Sequence, residues 1–169
     1  DTVEVGASPD GMTFADGAVW VANEDDGTVT RIDPDAAVAT ETIEAGQGAD
    51  SVAVTDDALW VFSETDGNLS RVDRETGDVT DTVEVNSPSV GASVAGLGVS
   101  DDAVWAASLE SDTVLRIDPD TAEISETVAV PTPMGIAVSE DGVWVASLDA
   151  GTVSRIDPDT TEVTDTIQV

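Results

Sequence analysis

Short runs rich in apolar residues recur along this chain, with Asp, Gly, Pro and Asn gathered in the gaps between them. The first four are residues 11–15 (GMTFA), 18–22 (AVWVA), 28–33 (TVTRID) and 38–45 (VATETIEA). Val, Ile, Thr and Trp dominate these runs and none is long enough for a stable helix, so each is read as a β-strand. The second run is apolar throughout, which suits a strand covered on both faces. The fourth alternates. In its second copy, TDTVEV, Val83 and Val85 share one face while Thr82 and Glu84 share the other, as on an outer edge wetted on one side.

The pattern then repeats. Trp20, Trp60, Trp105 and Trp144 step along the chain by 40, 45 and 39 residues, and Arg31, Arg71, Arg116 and Arg155 take the same three steps. Four strands in each unit of about 40 residues predict a β-propeller blade. The expected fold is therefore all-β, one domain over 1–169, with four four-stranded antiparallel blades at 6–45, 46–85, 86–130 and 131–169. Residues 1–5, DTVEV, duplicate the outer-strand ending that returns as DTIQV at 165–169. That duplication leaves three arrangements open: a ring closed by four blades, half of an eight-bladed ring completed edge to edge by a second chain, or a piece of a longer array. A four-blade monomer is the expectation and the edge-to-edge dimer its alternative. A chain that opens on Asp instead of Met also reads as a processed or excised segment.

The sequence of motifs VWVAN, an acidic or Gly turn, TVTRIDP, a Thr-rich run, TIEAG and PMGIAV resembles the YVTN-type and virginiamycin B lyase-like β-propellers. The resemblance covers all four units and implies the fold more firmly than any activity. For the lyases it implies chemistry built on histidine and bound Mg²⁺. This chain contains no His, so no catalytic residue carries over. A lyase that has lost or replaced its histidine is the alternative to a non-catalytic binding or scaffolding module.

Charge changes the picture of the surroundings. Thirty-six Asp and Glu face five Arg and no Lys, for a formal net charge of -31. Like charges within the Debye length, about 8 Å in ordinary buffer and about 3 Å at molar salt, repel one another and oppose compaction. Such a composition resembles proteins of extreme halophiles, and a secreted or cell-surface location is expected. Nucleic acid and anionic membrane, which need a basic face, are excluded as electrostatic partners. No apolar run approaches the length of a membrane span, so no membrane insertion is expected. The absence of Cys rules out disulfides and thiolate chemistry.

Candidate chemistry is sparse. The repeated Arg residues suggest either a ring that recognises an anion or, the favoured reading, ion pairs with an Asp of the same or a neighbouring blade, such as the Asp two residues on in R-I-D. The Trp residues offer an aromatic cage or, again favoured, packing between blades. The DPD turns are read as turn chemistry, Asp bonding to backbone and Pro fixing φ. No cofactor is expected. Clustered carboxylates such as Glu24, Asp25 and Asp26 keep Ca²⁺ or Mg²⁺ open as weak candidates, although no stretch fits a calcium-loop motif. Asn68-Leu69-Ser70 is an N-glycosylation sequon. The longest irregular connection is NSPSVGASVAG at 86–96, which accounts for the step of 45. In propellers it lies on the face of the loops between second and third strands, where ligands usually bind. The expected ligand-face residues are Asn86, Ser87, Ser89, Ser93, Glu24, Asp25, Asp66, Asn68, Glu110, Asp112 and Asp149, and the expected ligand is a protein, a peptide or a glycan.

Overall fold

The computed structural model describes residues 2–85, 94–100 and 102–169. The expected ligand-face residues Asn86, Ser87, Ser89 and Ser93 lie outside the described residues. Every described element is a strand, and the strands form four four-stranded antiparallel sheets, each a meander in sequence order.

The chain divides into two compact units, Asp1–Glu84 and Val85–Val169. In the first unit one sheet holds β1 (Pro9–Ala15), β2 (Ala18–Asn23), β3 (Thr28–Asp33) and β4 (Val38–Glu44). Its companion holds β5 (Ala49–Val54), β6 (Ala58–Ser63), β7 (Asn68–Asp73) and β8 (Val79–Glu84). The second unit has β9 (Val94–Ser100), β10 (Ala103–Ser108), β11 (Thr113–Ile117) and β12 (Ile124–Ala129) in one sheet. Its other sheet has β13 (Pro133–Ser139), β14 (Gly142–Ser147), β15 (Thr152–Ile156) and β16 (Val163–Gln168). Residues 2–5 form no strand. They lead into a strap in which Ala7 N donates to Asp26 Oδ2 at 2.7 Å and Ser8 Oγ donates to Asp25 Oδ2 at 2.5 Å.

The first strand of the first sheet starts two residues earlier than the apolar pattern predicts, because β1 carries an irregularity between Pro9 and Met12. Bulges of this kind insert a residue and break the alternation on which a pattern argument depends. In the second sheet's outer strand alternation and burial agree. Val83 and Val85 are buried while Thr82 and Glu84 stay in solvent. The second strands lie in the core, with Ala58, Leu59, Trp60, Val61 and Phe62 of β6 all buried.

Each unit has a core between its two sheets. In the first, Trp20, Ala22, Val29 and Ile43 pack with Val52, Val54, Leu59 and Val61. In the second, Trp105, Val114, Val128 and Val130 pack with Val143, Val145 and Ile156. Roughly 25 cal/mol per Å² of apolar surface removed from water makes these seams the main stabilising term.

The turns after the third strands are held by their first Asp. Asp33 Oδ1 accepts from Asp35 N and Ala36 N, both at 2.9 Å, and Asp73, Asp118 and Asp157 accept equivalent pairs. These bonds favour the ionised form. The backbone N–H groups of Thr76, Thr121 and Thr160 are the largest cause holding the carboxyls of Asp73, Asp118 and Asp157 below their ordinary 3.8. Asp50 moves the other way: burial, partly offset by its bond from Ser51, raises it, and Asp10 and Glu64 push in the same direction as burial.

The signs of the two effects differ. Groups with lowered values contribute stability above about pH 4 that is lost as pH falls through their folded-state values. Ionised Asp50 costs the fold, and that cost is relieved as pH falls through its raised value. In 2 M KCl, where general repulsion is screened, Asp118→Asn should flatten the loss of thermal stability between pH 4 and pH 2. Asp50→Asn should raise the midpoint at pH 7, with the gain shrinking toward acid. Parallel curves for wild type and both variants would refute these assignments.

Candidate functional site

The repeated Trp and Arg are cross-strand neighbours. Trp20 faces Arg31, Trp60 faces Arg71, Trp105 faces Arg116 and Trp144 faces Arg155 in the pairing of second with third strands. The guanidinium carbons of Arg31, Arg116 and Arg155 lie 5.6, 5.9 and 5.7 Å from the centroids of their Trp rings. At that range each indole face attracts its cation, worth about 0.5–1 kcal/mol at exposed sites. Trp20, Trp60 and Trp105 are buried, so no open aromatic cage forms around them.

Arg71 and Arg116 each pair with an Asp of their own blade, but not with the one two residues on. Asp73 and Asp118, two residues beyond Arg71 and Arg116, are committed to their own turns. Instead Arg71 Nη2 pairs with Asp57 Oδ2 at 2.5 Å and Arg116 Nη2 with Asp102 Oδ2 at 2.5 Å, both from the turn between first and second strands. The opposite side of each guanidinium donates to a hydroxyl on the fourth strand, Thr80 at 3.0 Å and Ser125 at 3.1 Å. Arg155 makes a variant of this arrangement, donating Nε to the backbone oxygen of Asp141 at 2.9 Å and lying 3.7 Å from Asp165. With the Asp102 side chain 60% exposed, its pair belongs among surface ion pairs, worth about 0–1 kcal/mol, and not among buried ones.

Arg31 breaks the pattern. Its Nη1 donates to Thr40 Oγ1 at 3.1 Å, as in the second and third sheets, but no carboxylate lies within ion-pair distance of it among the described residues. The reason is local. Where the second and third sheets have Asp57 and Asp102, the first has Gly17, in an Asp16-Gly17 turn with φ of 52° and 70°. Two successive positive φ values define the tight hairpin turn that favours Asp-Gly, and the pairing carboxylate is lost with it. A Cβ at Gly17 would meet nothing within 4 Å, so the space is open.

Asp16 of this turn borders a hollow of about 640 Å³ in the first unit, lined also by Trp20, Arg31, Glu41, Asp57 and Arg74 among others. Arg74 takes the place that Pro occupies in the other three DPD turns. It pairs with Asp16 at 2.6 Å, donates Nη1 to the backbone oxygens of Thr55 and Asp56, and sits 5.3 Å over the Trp20 ring. Two guanidiniums therefore flank one indole, whose Nε1 is buried and has no hydrogen-bond partner among the described residues. Chemically the two guanidiniums offer donors to an acceptor-rich ligand, in a hollow that Asp16, Glu41, Asp56, Asp57, Asp73 and Glu75 also line. It sits at the strand ends opposite the loops expected to bind. A comparison of the four turns, D-G against D-D, D-D and E-D, is the sequence signal that points to it.

Several of the expected loop residues make local hydrogen bonds. Glu24 N donates to Ser8 O at 2.9 Å, and Asp25 and Asp26 hold the N-terminal strap. Asp66 N donates to Ser63 Oγ at 3.2 Å, and Asn68 begins β7 half-buried. Asp112 Oδ1 accepts from Thr132 N at 2.8 Å, while Asp149 N donates to Thr132 Oγ1 at 3.1 Å, so these two share a partner in the second unit. Glu110 is exposed. Among the described residues no three acidic side chains converge as a ligand set for a metal ion.

Similar architecture is found in solved structures. Kuenenia stuttgartiensis hydrazine synthase matches with TM-score 0.81 at 15% identity, over 99% of this chain and 51% of that one. Streptogramin B lyase matches with TM-score 0.74 at 20% identity, over 95% of this chain and 54% of that one. The WD40 domain of Neurospora crassa Pan2 matches with TM-score 0.74 at 13% identity, over 96% and 50%. The fold is a β-propeller. This chain's four sheets are its blades, and the chain spans about half the length of those three propellers. No protein-family model and no curated protein matches the sequence. At these identities the likeness carries fold and not activity. Among the described residues no helix is long and apolar enough to cross a membrane.

Proposed function

We propose that this propeller is a binding module that works in concentrated salt and takes a carboxylate-bearing ligand, an acidic sugar or an acidic peptide side chain, at Arg31. The observation that carries the reading is the place left by Gly17, where two other blades supply Asp57 or Asp102 to the same guanidinium. A ligand carboxylate would complete in trans what those blades complete within the chain. Trp20 and Arg74 frame it, and Thr40 fixes the orientation of Arg31. The acidic lining of the hollow opposes an anion at low salt. At molar salt the Debye length of about 3 Å removes that opposition while leaving direct hydrogen bonds in place. The same composition supports a halophilic source and a secreted or surface location. A lyase reading would need a group other than histidine to move the proton, and no described carboxylate stands out for that role.

Titration calorimetry in 2 M KCl with glucuronate and with a Glu-rich peptide as probes tests the assignment. Charge-assisted bonds are worth about 1.5–3 kcal/mol, so Arg31→Ala should weaken binding roughly 10- to 100-fold. Gly17→Asp should block the site by supplying a carboxylate in cis. Gly17→Ala carries comparable backbone strain without the charge and should bind as wild type. Equal binding by the Gly17→Asp and Gly17→Ala variants, or no binding of either probe to the wild type, would overturn the proposal.

A further inference from the structure

Each blade has two apolar faces, and the two units show which neighbour each face is made for. The face carrying Trp meets the blade that follows: Trp20 and Val29 pack on the second blade, Trp105 and Val114 on the fourth. The face built on the first strand meets the blade that precedes it, through Val52 and Val54 in the second blade and Ile136 and Val138 in the fourth.

The equivalent positions on the first blade are exposed. By register, Met12 opposite Val21 and Phe14 opposite Val19 match Val52 opposite Val61 and Val54 opposite Leu59. Val52 and Val54 are 5% and 9% exposed, whereas Met12 and Phe14 are 69% and 67% exposed. The fourth blade shows the converse. Ile43, Val83 and Val128, each paired with the third strand at the same position, are 5%, 6% and 7% exposed, but their equivalent Ile167 is 49% exposed. Leu148 and Val169, which follow the second and fourth strands of this blade, are 63% and 81% exposed, and Trp144 is only half-buried. Large apolar side chains grouped on one surface mark an interface.

We infer that two copies of this chain associate end to end, the Ile167–Trp144 face of one against the Met12–Phe14 face of the other, at both ends of each chain. The chain carries both halves of an interface that it already makes twice within itself. A second copy is therefore the partner whose shape and chemistry fit both faces at once. The contact is heterologous, and such contacts close into rings when the rotation allows. The like charge of two chains at -31 each makes the association dependent on salt.

Light scattering on the whole chain in 2 M KCl should give twice the chain mass of 17.3 kDa, unchanged on tenfold dilution. Phe14→Asp and Ile167→Asp should each shift the mass toward 17.3 kDa while the far-UV circular dichroism of the wild type is kept. Mixing the two variants leaves one interface with both native faces, so the mixture should regain the doubled mass in part. That recovery would not occur if either substitution acted by damaging its own blade. A wild-type mass of 17.3 kDa, a ladder of masses above twice that value, or doubled mass retained by both variants would overturn the inference.

Discussion

The thermal midpoint of this protein is expected to rise by roughly 10–20 °C between 0.1 M and 2 M KCl. Two like charges about 8 Å apart in water repel by roughly 0.5 kcal/mol before screening. The Debye length of about 10 Å at 0.1 M leaves nearly half of that, and the length of about 3 Å at molar salt leaves almost none. With 36 acids against five Arg on 169 residues, tens of such pairs are unavoidable, and their sum is several kcal/mol. For a chain of this size each 1 kcal/mol moves the midpoint by about 2–4 °C. Circular dichroism melts across a KCl series measure the effect directly. Sucrose, which strengthens burial without screening charge, should not reproduce the full shift. A midpoint indifferent to salt would show that the acids are spaced widely enough not to matter.

Replacing Trp105 by Ala is expected to remove about 3–5 kcal/mol, a large part of the roughly 5–15 kcal/mol available to a domain. The indole is wholly buried, packs among Val114, Val143, Val145 and Ile156, and donates Nε1 to Ser100 Oγ at 3.3 Å. Truncation leaves a cavity lined by β-branched side chains held in rigid strands, which collapse poorly into the space. Trp144→Ala, at the equivalent but half-covered position, should cost distinctly less in urea unfolding at low protein concentration. The difference should narrow as concentration rises and the end-to-end contact forms. Equal losses from the two substitutions at every concentration would contradict the burial pattern.

Strand identity was legible in the sequence because side-chain period and burial are the same fact seen twice. Val83 and Val85 inward, Thr82 and Glu84 outward, follow from pleating alone. The partner of each Arg was not legible. Asp73 and Asp118 are nearer in sequence, but their side chains accept from the backbone N–H groups two and three residues on. The guanidinium instead reaches 14 residues back, to a turn brought close by the two-strand hairpin. Separation of that kind depends on turn geometry, which periodicity does not encode. The distinctive turn was visible as Asp16-Gly17, but its meaning needed the neighbouring blades for comparison. The role of Arg74 was hidden for a simpler reason: it falls where a Pro is expected, outside the repeated Arg positions.

The sequential order of strands in every sheet bears on how such a chain changes over generations. Each hydrogen-bond ladder is confined to strands adjacent in sequence, so no sheet depends on a distant segment for a member. Duplication or loss of one whole period of about 40 residues therefore leaves every remaining ladder complete. What such an event alters is the pair of terminal faces, since a new first or last blade inherits the exposed positions of Met12 and Phe14 or of Ile167. Blade number in this lineage can thus drift by single recombination steps, with selection acting on the fit of the ends.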